Sequence, residues 1–119
     1  MALIVADRVL ETSTSTGTAA ILFSGAVLGY RTVGSVSSNL DTFYYYIEGV
    51  DADGIPTGEW ETGLGEYVSG SNSMNRDTIF SSSNSGSIVN FSSGTKRIGI
   101  SIPAIGFNRI VANSSSFFV

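Results

Sequence analysis

Short runs of β-branched and aromatic residues, separated by Ser, Thr, Asn and Gly, set the hydrophobic pattern of this chain. The clearest run covers residues 43–50, in which successive side chains alternate between two faces, as in a β-strand. One face carries Phe43, Tyr45 and Ile47, and the other carries Tyr44, Tyr46 and Glu48. Tyrosines on both faces indicate that both sides of this strand are covered. Since Tyr is enriched at protein interfaces, Tyr44 and Tyr46 are candidate contacts to a partner subunit.

Other predicted strands are shorter and follow the same period-two pattern. They cover residues 5–10, 20–23, 27–36, 59–67, 78–80, 87–91 and 97–102. Two glycines within residues 27–36 predict a bulge or bend there. Apolar residues at helical spacing are missing, and turn residues recur at roughly eight- to twelve-residue intervals. The pattern predicts an all-β protein, either a small antiparallel β-sandwich or a barrel-like, jelly-roll-like domain.

Residues 75–96, NRDTIFSSSNSGSIVNFSSGTK, have the pattern of a strand, a turn and a second strand. The sequence Asn84-Ser85-Gly86 separates the two apolar runs and contains residues that tolerate the left-handed backbone of a tight turn. We therefore predict a β-hairpin between residues 78–80 and 87–91.

Residues 51–67 combine a turn-rich connector, DADGIPTG, with a predicted strand, EWETGLGEY. One face of this strand is mixed, with Trp60, Thr62, Leu64 and Glu66. The other is acidic and small, with Glu59, Glu61, Gly63, Gly65 and Tyr67. Trp60 has two interpretations, as a packed cross-strand aromatic or, if it points outward, as an interface anchor.

The length of 119 residues is that of one domain. Pro103 cannot donate to a sheet ladder and ends the last strand pattern, so we assign residues 1–104 to the β-domain and residues 105–119 to an extended C-terminal arm. The arm ends in Phe117, Phe118 and Val119, an apolar group that is expected to be buried. Two partners are equally plausible for it: the sheet of the same subunit, or a neighbouring subunit.

Composition excludes several function classes. Cys and His are both absent, which removes disulfides, thiolate and imidazole metal ligands and the Ser-His-Asp arrangement. The net charge is −4, and only Lys96 and Arg97 are adjacent basic residues, so direct nucleic-acid binding is not expected. The apolar opening ALIVA is too short for a signal peptide or a membrane span, so we expect synthesis in a cytoplasm and no membrane association.

Six of the ten carboxylates lie between residues 48 and 66, a stretch without Lys or Arg. Asp51 and Asp53, followed by Gly54, resemble the start of a calcium loop. The spacing then fails, because Ile55 and Thr62 stand where further oxygen ligands would be needed. Asp-Gly is also a common turn dipeptide. We favour a solvated turn over a metal site and expect no cofactor.

The same carboxylates permit a catalytic interpretation. Two of them could act as the acid and the nucleophile of a glycosidase, with Trp60 and the tyrosines as a sugar platform. Carboxylate pairs are common in any sequence, and their separation in space cannot be derived from spacing along the chain. We therefore do not expect an enzyme, and keep glycan binding through Trp60 and the acidic connector as a lesser alternative.

Four segments in order resemble a small module that recurs in virion proteins of tailed bacteriophages. They are ADRVLETSTSTGT at residues 6–18, SGAVLGYRT at 24–32, GEWETGLGEYVSGSNSMNRDTIFSSSNSGSIVNFSSGTK at 58–96 and IPA at 102–104. That module is found alone or ahead of fibre sequence in tail appendages. The resemblance implies a non-enzymatic structural protein of the phage particle, located in the virion after synthesis in the host.

The chain departs from the usual pattern of the module in two places: the acidic connector at residues 51–58, and the arm from Ile105 onward, which stands where a fibre shaft would follow. The resemblance thus favours a free-standing homo-oligomer, such as a trimer, attached to the tail as an adaptor, fibre base or spike component. The alternative is a head decoration (cement) protein that stabilises the capsid. In both cases the expected partners are other virion proteins.

Overall fold

The computed structural model describes residues 2–102 and residue 104, so the predicted arm at residues 105–119 lies outside the described residues. Eight strands occur in the described part: β1 (Leu3–Ile4), β2 (Leu10–Ser13), β3 (Ile21–Leu22), β4 (Gly25–Ala26), β5 (Thr42–Val50), β6 (Pro56–Val68), β7 (Ser73–Ser82) and β8 (Thr95–Ile100). A short 3₁₀ turn covers Val33–Ser35. Within this part of the chain, no helix has the length and apolar character needed to cross a membrane.

The strands form one curled sheet in the order β3-β7-β6-β5-β8-β2-β4. Every neighbouring pair in this path is antiparallel. Strand β1 pairs with the start of β5 in parallel, through Leu3 with Thr42 and Ile4 with Phe43. The curled sheet makes a half-barrel, which confirms the predicted all-β, barrel-like single domain.

The concave face of the half-barrel carries the core. Phe43, Tyr45 and Ile47 on β5 share one face, as their alternation predicts, and are at most 1% exposed. Connecting segments add further apolar side chains to the same core: Val9, Phe23, Val33, Val89 and Phe91. The half-barrel is therefore closed on its concave side by chain that joins the strands, and these connections are part of the core.

The acidic and small face of β6 is the face that turns inward. Glu61, Gly63, Gly65 and Tyr67 are all buried. A Cβ atom on Gly63 would lie 2.2 Å from the Thr78 carbonyl oxygen and 2.8 Å from the Tyr45 hydroxyl. Glycine is required here because the Tyr45 side chain crosses β6 at this point, towards the carboxylate of Glu61.

Two predicted strands in the first third of the chain are wrong. Residues 5–10 are not one strand, because Arg8 has a left-handed φ of 60° and separates β1 from β2. Residues 27–36 form a turn closed by Tyr30 N–H on the Val27 carbonyl, followed by the 3₁₀ turn, which Thr32 caps. The glycine at position 29 has a φ of +85°, so it reverses the chain instead of forming a bulge within a strand.

The predicted hairpin between residues 78–80 and 87–91 is also wrong. Strand β7 pairs with β6, and the loop between these two strands covers residues 69–72. Residues 83–94, which we call the covering segment, join β7 to β8 outside the named strands. Val89 and Phe91 in this segment are nonetheless buried, since they pack into the concave core. Phe91 also forms an isolated antiparallel bridge with Gly17, so the apolar pattern of the segment reports burial and one short pairing, not a second hairpin strand.

Candidate functional site: the carboxylates that hold the covering segment

A buried ion pair lies on the concave face between β6 and β7. The side chains of Glu61 and Arg76 are 0% and 1% exposed. Arg76 Nη2 donates to Glu61 Oε1 at 2.7 Å, and Arg76 Nε donates to Glu61 Oε2 at 2.9 Å. This two-point fork is the strong geometry of an arginine–carboxylate pair.

The remaining lone pairs of Glu61 are also used. The Tyr45 hydroxyl donates to Oε2 at 2.6 Å, and the Val89 backbone N–H donates to Oε1 at 2.9 Å. Each carboxylate oxygen therefore accepts two hydrogen bonds. One of the four comes from the covering segment, so the carboxylate fixes that segment to the sheet.

The guanidinium of Arg76 makes the complementary set of contacts. Nη1 donates to the carbonyl oxygens of Gly17 and Ala19, each at 3.2 Å, and Nη2 donates to the Val89 carbonyl at 2.6 Å. Every N–H of the side chain thus has an acceptor. The guanidinium carbon also lies 5.2 Å from the centre of the Phe91 ring, within cation–π range. We call these contacts the Glu61–Arg76 network.

The network sets the charge states of its members. Burial would raise the pKa of Glu61, but the hydrogen bonds from Arg76, Tyr45 and Val89 outweigh it and hold that pKa below its usual value. Burial, together with the hydrogen bond to the charged Glu61, raises the pKa of the Tyr45 hydroxyl. The carboxylate is therefore ionised and the phenol neutral at neutral pH, and both are held in place.

Glu59, two residues earlier on the same face of β6, also binds the covering segment through its carboxylate. Its Oε1 accepts the Ser92 backbone N–H at 3.0 Å, and its Oε2 accepts the Ser92 hydroxyl at 2.8 Å. Lys96 binds the segment from the other side, because its ammonium donates to the carbonyl oxygens of Ser92 and Gly94. Burial lowers the pKa of Lys96, and the nearby Glu59 charge opposes that effect.

Two adjoining hollows lie beside these contacts. The first, of about 230 Å³, is lined by Gly49, Val50, Thr57, Glu59, Ser92, Ser93, Thr95 and Lys96. The second, of about 470 Å³, is lined by Thr57, Gly58, Glu59, Ser83, Asn84, Val89 and Asn90. Thr57 and Glu59 belong to both linings, so we treat the hollows as one polar cleft at the concave side of β6.

A second buried carboxylate, Glu11 on β2, has a poorer environment. It is 1% exposed, and its Oε2 accepts the Val33 backbone N–H at 2.7 Å. Its Oε1 has no hydrogen-bond partner among the described residues. Burial therefore raises the pKa of Glu11, because the few hydrogen bonds it receives do not compensate for lost hydration.

The weak calcium candidates, Asp51 and Asp53, lie in a turn, the alternative that the sequence favoured. Asp51 Oδ1 accepts the backbone N–H groups of Asp53 and Ile55, both at 2.9 Å, which is the hydrogen bonding of an Asx turn. Within residues 2–102 and 104, His, Cys, Asp and Glu form no group of three or more that could hold a metal ion. Asp51 therefore orders the β5–β6 connection by side-chain-to-backbone bonds.

The predicted interface residues of the sheet lie on its convex face. The Tyr44 ring packs 5.9 Å from the Phe80 ring, and the Tyr46 ring covers Gly99 on β8. Trp60 stands opposite Glu48 in the ladder and is 42% exposed. The structure separates Trp60 from the Glu59 and Glu61 side chains by the thickness of the sheet. Phe117, Phe118 and Val119 lie outside the described residues.

Sequence reasoning did not find the Glu61–Arg76 network or the role of Lys96. The signal for part of it was present, since the alternation of β6 puts Glu61 on the same face as Tyr67 and two glycines. Glycines leave room for neighbouring side chains to pack over a strand, so a face with two glycines and a tyrosine is consistent with burial of Glu61. Its partners could not be identified, because Arg76 and Val89 come from chain 15 and 28 residues away.

A scan against protein-family models and searches of curated proteins and of solved structures found no match. The resemblance to a phage virion module therefore stays a prediction. Function has to be inferred from the residues of the chain and their geometry.

Proposed function

We propose that this chain is a non-enzymatic structural subunit of a bacteriophage particle, attached to the tail as an adaptor, fibre base or spike component. The observation that carries the proposal is the ordered series of segments at residues 6–18, 24–32, 58–96 and 102–104 that resembles a virion module. The alternative position is the capsid surface, as a decoration protein. A tail protein and a capsid decoration protein both need to be stable modules that bind neighbouring subunits.

The contacts of the Glu61–Arg76 network support one unit built from these segments. Gly17 belongs to the first segment, and Glu61, Arg76 and Val89 belong to the third. The network thus ties together parts of the chain that carry the resemblance. A hydrogen-bonded core of this kind stabilises a scaffold.

The engagement of the carboxylates supports a non-enzymatic role. Glu61 accepts four hydrogen bonds inside the core, and Glu59 uses both oxygens on Ser92. A general acid or base must reach a substrate proton within hydrogen-bond distance. Glu61 is 0% exposed and already occupied by Arg76, so it does not meet this condition.

Self-association through the convex face is part of the proposal. Trp60 is 42% exposed there, and Trp is among the residues enriched at interfaces. Repeated copies of one weak contact give strong attachment, because each bound copy raises the effective concentration of the next. The mechanism is passive and needs no cofactor.

Direct imaging of labelled protein on purified particles tests the proposal. Label at the tail in low copy number is the expected result, whereas label spread over the capsid lattice would move the protein to the decoration class. Absence of the protein from washed, infectious particles would contradict both positions.

The molar mass of the isolated chain in solution tests self-association separately. We expect a homo-oligomer that Trp60→Ala dissociates and that Leu28→Ala leaves intact. Leu28 is the matched control because it is 98% exposed and lies in the turn after β4, away from Trp60. Dissociation by Leu28→Ala alone would place the interface at the β4 edge instead.

A further inference from the structure

The polar cleft shared by Glu59 and Thr57 has the features of a small-ligand site that is independent of the convex face. Its floor includes Gly49, where a Cβ atom would lie 2.6 Å from the Thr57 hydroxyl. The depth of the cleft therefore depends on a residue without a side chain. A pocket with several convergent polar groups is the usual form of a specific binding site.

The lining carries unused hydrogen-bonding capacity. The side chains of Thr57, Ser93, Thr95 and Asn90 form no hydrogen bond with any other described residue. Lys96 is 1% exposed and its ammonium is bound to the carbonyl oxygens of Ser92 and Gly94, so it contributes its charge to the cleft but no accessible donor. Donors and acceptors thus both remain available within one cleft.

The charges of the lining restrict the class of ligand. Glu59 and Lys96 are its ionisable side chains and their charges cancel, so a phosphate would be repelled by Glu59 and a metal cation by Lys96. Apolar side chains in the lining are confined to Val50 and Val89, which excludes a largely apolar ligand. Hydroxyl groups, which both donate and accept, match the remaining groups.

We propose that the Thr57–Glu59–Lys96 cleft binds a neutral polyhydroxylated ligand, a single sugar unit. Its hydroxyls would donate to Glu59 and exchange hydrogen bonds with the hydroxyls of Thr57, Ser93 and Thr95, while the buried Lys96 balances the charge of Glu59. This site lies on the opposite face of β6 from Trp60, so it differs from a glycan platform built on that residue. The proposal does not depend on the position of the protein in a particle.

Titration of the isotope-labelled chain with neutral monosaccharides, followed by amide NMR, tests the proposal. Glucose, galactose and N-acetylglucosamine are the probes, with glycerol and inorganic phosphate in parallel. We expect at least one sugar to shift the amides of Thr57, Ser93 and Thr95 saturably, with a dissociation constant on the order of 1 mM for so small a ligand.

Thr57→Val removes the hydroxyl at constant shape and should weaken binding about fivefold, the effect of one lost hydrogen bond. Thr78→Val is the matched control, because Thr78 is exposed on β7 and outside the cleft. Without sugar, the amide spectrum of each variant should match that of the unsubstituted chain away from the substituted residue. A loss of sugar binding is then not due to unfolding.

The proposal would be overturned by shifts centred on Trp60 instead of the cleft, by equal responses to glycerol and to every sugar, or by equal weakening by Thr57→Val and Thr78→Val. A response to phosphate alone would also contradict it, since it would show an anion site. A sugar that binds only as part of a polymer would give shifts with an oligosaccharide and none with the monosaccharide, contrary to the single-unit site.

Discussion

Glu61 and Glu11 are two carboxylates of nearly equal burial, 0% and 1% exposed, whose pKa values move in opposite directions. Glu61 receives four hydrogen bonds, two of them from a guanidinium, and its pKa falls below the usual value. Glu11 is held by the Val33 N–H, with one oxygen unpartnered among the described residues, and its pKa rises. Burial alone does not decide the charge of a carboxylate; the number and charge of its partners do.

The environments of Glu61 and Glu11 differ because different side chains and backbone groups face the two carboxylates. Glu61 on β6 faces Arg76 from β7, Tyr45 from β5 and the covering segment. Glu11 on β2 stands between Ile98 of β8 and Ala26 of β4 in the ladder, and neither of these side chains can donate a hydrogen bond. The sheet around Glu61 therefore stabilises the charged form, and the sheet around Glu11 does not.

Removal of Arg76 should have the largest effect, since it leaves a buried and uncompensated charge. We expect Arg76→Met to lower the free energy of unfolding by about 3–5 kcal/mol, measured by urea denaturation. Arg97→Met, on the convex side of β8, is the control and should cost less than about 1 kcal/mol. The double variant Glu61→Leu with Arg76→Met should recover part of the loss. Equal losses from both single arginine variants would contradict the role of the network.

Loss of the Tyr45 hydroxyl should have the next largest effect. Because it donates to a charged oxygen, we expect Tyr45→Phe to cost about 1.5–3 kcal/mol in the free energy of unfolding. Tyr67→Phe is the matched control, since the Tyr67 hydroxyl donates to the neutral Asn72 side chain at 3.0 Å, and should cost about 0.5–1.5 kcal/mol. A control that costs as much as Tyr45→Phe would show that the charge of Glu61 adds nothing.

The pH dependence of stability should separate the two carboxylates. The raised folded pKa of Glu11 means that its stabilising contribution is complete below the ordinary pKa of 4.5 and is lost as the pH rises through the folded value. Glu61 has the opposite sign, since its contribution is present above 4.5 and is lost as the pH falls through its lowered pKa.

Glu11→Gln should therefore make stability fall less steeply between pH 4.5 and pH 7. Urea denaturation at a series of pH values measures this slope, with the unsubstituted chain as reference. An unchanged slope would show that Glu11 has its ordinary pKa in the folded protein.

Asp41 gives the smallest expected effect and tests whether partners act without burial. Backbone hydrogen bonds from Ser38, at 2.8 Å, and from Ala2, at 3.0 Å, help to lower the pKa of this exposed carboxyl to about 2. Its contribution is present above the ordinary pKa of 3.8 and is lost as the pH falls through about 2. Asp41→Asn should lower the melting temperature slightly at pH 6 and by less at pH 2, where about half of the carboxyl is already protonated. An equal loss at both values would assign the effect to geometry and not to charge.

The sequence was sufficient for the fold class and for the core face of β5. Alternation placed Phe43, Tyr45 and Ile47 on one face of the strand, and the structure shows that this face is the core face. Alternation failed where apolar residues are buried outside the named strands, as at Val89 and Phe91 in the covering segment. Phe91 pairs with Gly17 through an isolated bridge, and the Val89 N–H donates to Glu61. The pattern reports which side chains leave water, and it does not report whether their backbones join a ladder.

The candidate site could be predicted only in part. Periodicity groups Glu59 and Glu61 on one face of β6, but an acidic face suggests exposure when it is considered alone. The loss of hydration of these carboxylates is offset by hydrogen bonds from Arg76 and from the N–H groups of Val89 and Ser92, which are distant in sequence. The single Lys of the chain, Lys96, likewise shows no sequence signal of the cleft it lines.

The sequence by itself determined that this chain forms short β-strands with turns such as the one at Asp51, because alternation and turn chemistry are local properties. Only the tertiary structure decided that Glu61 is buried with a lowered pKa while Glu11 is buried with a raised one. The physical reason is that the charge of a buried carboxylate depends on its hydrogen-bond partners. For Glu61 those partners come from three other parts of the chain, which only the curling of the sheet brings together.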